Sequence, residues 1–244
     1  MMRSAVVVLL LLAALTADVR AQFADKAVRE KLAGIEVIAY PTEVKDVVTF
    51  RGSLPAGDSF APGENMAIPT LVGGMLDKGT TRQNKFEIAQ KLENIGARIG
   101  FSVDGVMTQF HGKCLRKDLP LVISVLAEQL REPAFAEEEF AKLKKQLNGD
   151  LQRALESTDF RADQAFSEAL FPPGHPNYDA PPKEFIAAIQ AAKLEDLRKF
   201  HAEFYGSAQA TVVFVGDVDV PLLKSEMANA FAGWSGGKTV ADFP

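Results

Sequence analysis

The sequence predicts an α+β fold, a two-layer module in which helices cover a mostly antiparallel sheet. Segments with a period of two, typical of strands, occur as two pairs, one near residue 40 and one near residue 105. A late apolar strand follows near residue 212, and segments with helical periodicity lie between and after the strands. Strand pairs that interleave with helices in this way favour an α+β class.

The first strand pair is predicted over Gly34–Tyr40 and Asp46–Leu54, where apolar and polar residues alternate. A polar loop then leads to an apolar helix over Met66–Leu76. Pro69 lies in the first turn of this helix, where a missing N–H costs little, and Gly79 is predicted to close it as a C-cap.

The remaining elements follow the same rules of periodicity and capping. A helix with an Asn84 cap is predicted over 84–96, and a hairpin on either side of Gly105. The later predicted elements are four helices, a strand and a final helix: 118–131, 136–157, 159–171, 193–206, then the strand 210–219, and the helix 221–234.

Composition limits the classes of protein to which the chain can belong. Its 47% of hydrophobic residues can form a large core, and its single cysteine, Cys114, excludes an internal disulfide framework. A net charge of −5 argues against nucleic acid as a partner. With three histidines in the chain, any metal site would have few imidazole ligands.

The N-terminus predicts export. Arg3 precedes an apolar run from Ala5 to Leu15, and small residues suited to cleavage lie just before Gln22. The run is too short to cross a bilayer. Residues 1–21 are therefore predicted to be a signal peptide, with a mature periplasmic or extracellular chain that has no transmembrane segment.

Five motifs, in order along the chain, resemble one module of the pitrilysin/insulinase family of zinc metallopeptidases. This family includes the mitochondrial processing peptidases and the core proteins of the bc1 complex. The motifs are "MLDKGT" (75–80), "LENIGA" (92–97), "LREPAF" (130–135), "GHPNY" (174–178) and "FHAEFYGSAQATVVFVGDVD" (200–219). The resemblance covers nearly the whole mature chain and implies a processing-peptidase-like fold for residues 22–234.

The resemblance also shows that the family's catalytic motif is missing. Catalytic members carry H-x-x-E-H on the helix before the KGT turn, with two histidines for zinc and a glutamate as general base. The corresponding positions here are Thr70, Gly73 and Gly74. On the later helix, the nearest acidic match to the third ligand is Asp150. We therefore expect no zinc in this chain and no peptide hydrolysis by the chain alone, while its status as an enzyme stays open.

Modules that lack the motif imply a partner. In the family they pair with a zinc-bearing H-x-x-E-H module and enclose an extended peptide against a sheet edge. The matching edge segment here is Arg98–Val103, in which Gly100, Phe101 and Ser102 are candidates for substrate binding. An ordinary inner strand is the alternative interpretation of this segment.

The last residues, 235–244, are predicted to be a linker or the start of a second module, which would make the chain a fragment of a longer protein. A single-module relative is the alternative. Two other functions also stay open: a structural or binding role like that of the bc1 core proteins, and a metallopeptidase with a relocated zinc site. The candidate ligands for the relocated site are His111, Cys114, His175 and His201, which lack the usual ligand spacing.

Overall fold

The structure is a computed structural model and describes residues 26–63, 65–173, 175 and 177–240. The predicted signal peptide, residues 1–21, lies outside the described residues. None of the helices in the described ranges is both long and apolar enough to cross a membrane.

Six strands form one open sheet in the order β1-β2-β6-β3-β5-β4. Neighbouring strands are antiparallel except for β2 and β6, which are parallel. The predicted α+β fold with a mostly antiparallel sheet is therefore confirmed. The strands are β1 (Val28–Leu32), β2 (Ile35–Pro41), β3 (Val47–Leu54), β4 (Arg98–Val103), β5 (Thr108–Leu115) and β6 (Thr211–Gly216).

Eight α-helices accompany the sheet within the described residues. They are α1 (Ile68–Met75), α2 (Lys85–Asn94), α3 (Leu119–Arg131), α4 (Glu137–Ala154), α5 (Thr158–Leu170), α6 (Pro182–Ala191), α7 (Leu194–Phe204) and α8 (Val220–Ala230). Short 3-10 turns lie at Asp58–Phe60 and Arg116–Asp118. The predicted cap of α2 is present, because the Asn84 side chain accepts from the Phe86 and Glu87 N–H groups.

The sheet has two unlike faces. On the inner face, the apolar side chains of β3, β5 and β6, such as Phe50, Phe110 and Phe214, are buried together with apolar residues of the helices. On the outer face, alternate residues such as Arg51 and His111 are exposed. This alternation follows from the period of two in the sequence, and it places the core between the inner face and the helices.

Three local features differ from the sequence-based expectations. Strand β1 was not predicted, because four of its five residues are exposed and it shows no apolar alternation. Helix α6 was also not predicted, since it follows a proline-rich loop. The predicted C-cap at Gly79 is wrong: α1 ends at Met75, and Gly79, with a φ of +118°, bridges to Asn84.

Candidate functional site

Helix α1 carries the positions of the missing catalytic motif and lies in the middle of the module. Its apolar residues Leu71, Val72 and Met75 are buried in the core. The helix packs against β4, α4 and α7. Pro69 occupies its first turn, as predicted. The residues at the motif positions therefore face neighbouring elements of the protein.

Thr70, at the position of the first histidine, makes a structural hydrogen bond. Its hydroxyl donates to the Asp58 carboxylate over 2.9 Å. Burial raises the pKa of Asp58 to about 6, and the hydrogen bond from Thr70 offsets part of this effect. The nearby charges of Asp104 and Asp179 raise it further. No sequence pattern predicts the partial burial of this acid, which begins a short 3-10 turn within a polar loop.

The loop that carries Asp58 is fixed to the tip of the β4–β5 hairpin. The Gly57 N–H donates to the Val106 carbonyl and the Asp58 N–H to the Asp104 carbonyl, each over 2.9 Å. A Cβ on Gly57 would lie 2.2 Å from the Val106 carbonyl carbon, so the two backbones approach as closely as glycine allows. This loop thus partly covers the side of α1 that carries Thr70.

Apolar side chains fill the space next to Gly73 and Gly74. A Cβ on Gly73 would lie 2.4 Å from Val103 Cγ2, and one on Gly74 would lie 3.0 Å from Leu143 Cδ2. Val103 belongs to β4 and the buried Leu143 to α4. A side chain at position 73 would therefore overlap Val103, whereas one at position 74 would fit only after Leu143 shifts by a few tenths of an ångström.

The residues present do not fit a zinc ion. A threonine and two glycines supply no ligand of the kind that zinc prefers. The Asp150 carboxylate is half exposed and accepts a hydrogen bond from Arg153, one turn further along α4. Within the described ranges, no group of three or more histidine, cysteine, aspartate or glutamate residues is placed to hold a metal ion.

The candidate ligands of a relocated site have separate surroundings. The His201 ring is partly buried, its Nε2 lies 2.9 Å from the Leu130 carbonyl oxygen, and desolvation lowers its pKa. The His175 ring stacks on Phe171 and accepts from the Asn177 N–H. His111 is exposed on the outer face. Cys114 is buried in β5, and burial raises the pKa of its thiol to about 11, so it stays protonated at neutral pH.

A buried polar pair that the sequence did not reveal lies close to Asp58. The Tyr205 hydroxyl is 3.0 Å from the Thr108 hydroxyl, which donates to the Ala56 carbonyl over 2.9 Å. Burial raises the pKa of Tyr205, and the charge of Asp58 adds to the shift. This pair links the end of α7 to the start of β5, next to the tip of the hairpin.

Strand β4 lies at an edge of the sheet, and within the described ranges β5 is the one strand that pairs with it. The edge location of Arg98–Val103 agrees with the segment's predicted place, while substrate binding by Gly100, Phe101 and Ser102 stays a prediction. Gly100 and Ser102 are on the outer face, with Arg98. Phe101 packs with Ile99 against the core.

The backbone register shows which groups of β4 are free. The Asp104 N–H donates to the Met107 carbonyl at the hairpin turn, which makes these residues a hydrogen-bonded pair. Hydrogen-bonded pairs alternate along an antiparallel ladder. The N–H and C=O groups of Ile99, Phe101 and Val103 therefore face away from β5, where a further strand could bind them.

Comparison with known families gives two matches in succession along the chain. The sequence model described as insulinase, peptidase family M16, matches residues 37–172, which is more than half of the chain. The model described as peptidase M16 inactive domain matches residues 191–244.

Curated relatives include peptidases and peptidase subunits. Mitochondrial-processing peptidase subunit alpha-1 of Dictyostelium discoideum is 28% identical over 137 residues, which cover 56% of this chain and 20% of the relative. An uncharacterized zinc protease of Rickettsia felis is 21% identical over 208 residues, covering 84% of this chain and 49% of the relative. The chain thus spans at most about half the length of these relatives.

Solved structures share the fold. A peptidase M16 inactive domain from Pseudomonas fluorescens superimposes with a TM-score of 0.79 at 20% identity, covering 89% of this chain and 53% of that chain. The periplasmic protease PqqL from Escherichia coli superimposes with a TM-score of 0.78 at 18% identity, covering 90% of this chain and 25% of that chain.

Proposed function

The chain belongs to the insulinase family, peptidase family M16, and from this premise we propose that it is a non-catalytic module that works with a catalytic one. The catalytic module would carry H-x-x-E-H and hold the zinc ion. The module described here would pair with it and help to enclose peptide substrates for proteolysis.

The filled space around α1 is the observation that carries this proposal. A module that had lost only its ligands could retain an open cleft beside them, whereas here Val103 and Leu143 occupy the positions next to Gly73 and Gly74. The match of residues 191–244 to a domain described as inactive supports the same conclusion.

A role in holding peptides is supported by the unpaired edge at β4. Three residues of this strand direct backbone donors and acceptors away from the sheet, and such an edge can bind an extended peptide through main-chain hydrogen bonds. Because those bonds do not depend on side chains, the edge could accept many sequences.

Export is the third part of the proposal. It rests on the basic start and the apolar run of residues 1–21, and the likeness to a periplasmic protease is compatible with it. The module would then meet its catalytic partner outside the cytoplasm.

The test is reconstitution with an H-x-x-E-H protein of the same family from the same organism. We expect the two proteins to coelute in size-exclusion chromatography, and hydrolysis of an unstructured peptide to be faster than with the partner alone. Replacing the motif glutamate of the partner by glutamine should abolish hydrolysis by the mixture. If the chain neither binds the partner nor changes its rate, the proposal is wrong.

A further inference from the structure

The outer face beside β4 carries a group of basic side chains, here named the basic row. Arg98 of β4 lies directly opposite Lys113 of β5, and His111 of β5 lies directly opposite Arg51 of β3. All four side chains are exposed. Within the part of the chain that the structure describes, none of them makes an ion pair or a side-chain hydrogen bond.

This arrangement is unfavourable for the isolated module. Arg98 and Lys113 are like charges directly opposite each other, and such a pair destabilises a sheet. The chain has 32 acidic residues against 27 lysines and arginines, yet no carboxylate of the described residues pairs with the row. At the other edge of the sheet, by contrast, Arg29 pairs with Glu36 and Lys224 pairs with Glu30 of β1.

Gly100 brings the basic row close to the strand edge. A Cβ at Gly100 would lie 2.8 Å from His111 Nε2, so the imidazole lies over a position that only glycine leaves open. The ring therefore extends over β4 toward its unpaired side. Arg51 and His111 also line an open depression of about 440 Å³, together with Val213 and Val215.

The other end of β4 is different. The Asp104 carboxylate at the hairpin turn accepts from the Val106 and Met107 N–H groups and from the Gln109 side chain. These hydrogen bonds lower its pKa despite some burial, so it is ionised at neutral pH. A negative charge at this end confines the basic character to the Arg98 end of the strand.

A peptide added to β4 would meet both faces in alternation. Its residues on the outer face would lie beside Arg98, Gly100 and the basic row, and the residues between them would lie beside Ile99 and Phe101 on the apolar face. Successive side chains of a strand point to opposite faces. The edge thus offers cationic and apolar surfaces with a period of two.

We infer that the β4 edge selects peptide segments in which acidic and apolar residues alternate. This inference rests on the proposed function, because it names the substrate class of the same edge. Acidic side chains two residues apart would neutralise the basic row, and the intervening apolar side chains would pack beside Phe101. Peptide segments rich in lysine and arginine would be excluded by like-charge repulsion.

The experiment measures binding of three labelled ten-residue peptides to the chain by fluorescence anisotropy. The peptides alternate valine with glutamate, with glutamine or with lysine. We expect the glutamate peptide to bind about tenfold more tightly than the glutamine peptide, the sum of several partly screened ion pairs. The lysine peptide should bind most weakly, and 0.5 M salt should reduce the preference.

Reversing the charge of two residues in the basic row tests whether the preference for acidic peptides arises at the β4 edge. In the variant Arg98→Glu/Lys113→Glu, the order of the glutamate and lysine peptides should invert. The matched control, Lys145→Glu/Lys183→Glu, reverses two exposed cations on helices and should retain the wild-type order. Melting temperatures of both variants would show that they are folded.

The outcomes separate this inference from the proposed function. If all three peptides bind equally well and Phe101→Pro weakens the binding of each, the edge binds peptides without selecting for charge. The inference is then wrong. If none of the peptides binds, peptide binding at β4 is wrong, and the inference fails with it. A preference that survives reversal of Arg98 and Lys113 would place the selection elsewhere and would also overturn the inference.

Discussion

Helix α1 and strand β4 touch each other at Gly73 and Val103, yet they have opposite surroundings. The side of α1 where the family places its chemistry is largely covered by the Asp58 loop, by Val103 and by Leu143. Among the residues that the structure describes, no further strand pairs with the β4 edge, and Arg98 and Lys113 beside it make no ion pair. In one module, side chains and a loop cover most of the catalytic position, while the edge that we propose binds peptides stays open.

The contrast between α1 and β4 indicates which part of the fold could serve a module that does not catalyse hydrolysis. A filled catalytic position stabilises the module through packing, whereas an unpaired edge is a liability that proteins usually cover or shorten. An edge that stays open in a module with a closed catalytic position is therefore consistent with a role in binding. The following experiments can break or sharpen this comparison.

Restoring the catalytic motif should have the largest effect. The variant Thr70→His/Gly73→Glu/Gly74→His places three large side chains in filled space and removes the hydrogen bond to Asp58. We expect the free energy of unfolding to fall by about 4 kcal/mol, measured by urea denaturation, because overpacking costs about 1–3 kcal/mol per site.

A second pair of substitutions tests the cause of that loss. Adding Val103→Ala and Leu143→Ala should recover about 1–2 kcal/mol in the restored variant, because both remove the colliding atoms. In the wild-type chain the same pair should destabilise by creating a cavity. Equal effects in both backgrounds would show that the space around α1 is not filled as described.

Blocking the β4 edge should weaken peptide binding without unfolding the module. Phe101→Pro removes an N–H that faces away from β5, a position where proline is tolerated in an edge strand. We expect peptide affinity to fall about tenfold or more relative to Phe101→Ala, which loses the same side chain but keeps the N–H. Equal affinities of the two variants, measured by anisotropy, would argue against strand addition.

The buried acid next to Thr70 should make stability depend on pH. Because the folded pKa of Asp58 is raised to about 6, the folded state holds a proton that the unfolded state releases near pH 4. The contribution of Asp58 to the free energy of unfolding is thus largest below about pH 4. It is lost as the pH rises through about 6.

Asp58→Asn should remove this loss. Relative to wild type, the variant should be more stable by about 1–2 kcal/mol at pH 7.5, with little difference at pH 4. The exposed Asp163→Asn serves as the control and should show no such trend. If the difference in stability between Asp58→Asn and wild type were the same at all pH values, the pKa of Asp58 would not be raised in the folded state.

The smallest effects distinguish the two glycines of α1. Alanine in a helix is favoured over glycine by about 1 kcal/mol. At Gly74 the gain in helix propensity is offset by the cost of a small shift of the flexible Leu143 side chain. Gly74→Ala should therefore change the free energy of unfolding by less than about 0.5 kcal/mol. Gly73→Ala meets the stiff, β-branched Val103 and should destabilise by about 1 kcal/mol in thermal unfolding. The reverse order would mean that Val103 moves more readily than Leu143.

The sequence predicts the helices and strands that are determined by interactions between residues close together in the chain. The alternation in β3 and β5, the Asn84 cap and the apolar stripe of α3 are each contained in a short window, and the structure confirms these elements. Strand β1 has mostly exposed residues and is held by its pairing with β2, so no local pattern revealed it.

The candidate site was predictable in part. The resemblance located Thr70, Gly73 and Gly74, but the sequence could not show that Val103 and Leu143 fill the space beside them, because these contacts join distant elements. The same holds for Asp58, whose burial depends on the hairpin tip 46 residues away. The basic row was equally hidden, since its members come from three strands.

Thr70, Gly73 and Gly74 at the motif positions lead us to expect that the chain binds no zinc and does not hydrolyse peptides by itself. The most direct measurement is the zinc content of the purified chain after dialysis, together with its hydrolysis of an unstructured peptide with and without a chelator. We expect no bound zinc and no hydrolysis. Stoichiometric zinc with chelator-sensitive hydrolysis by the chain alone would contradict this account.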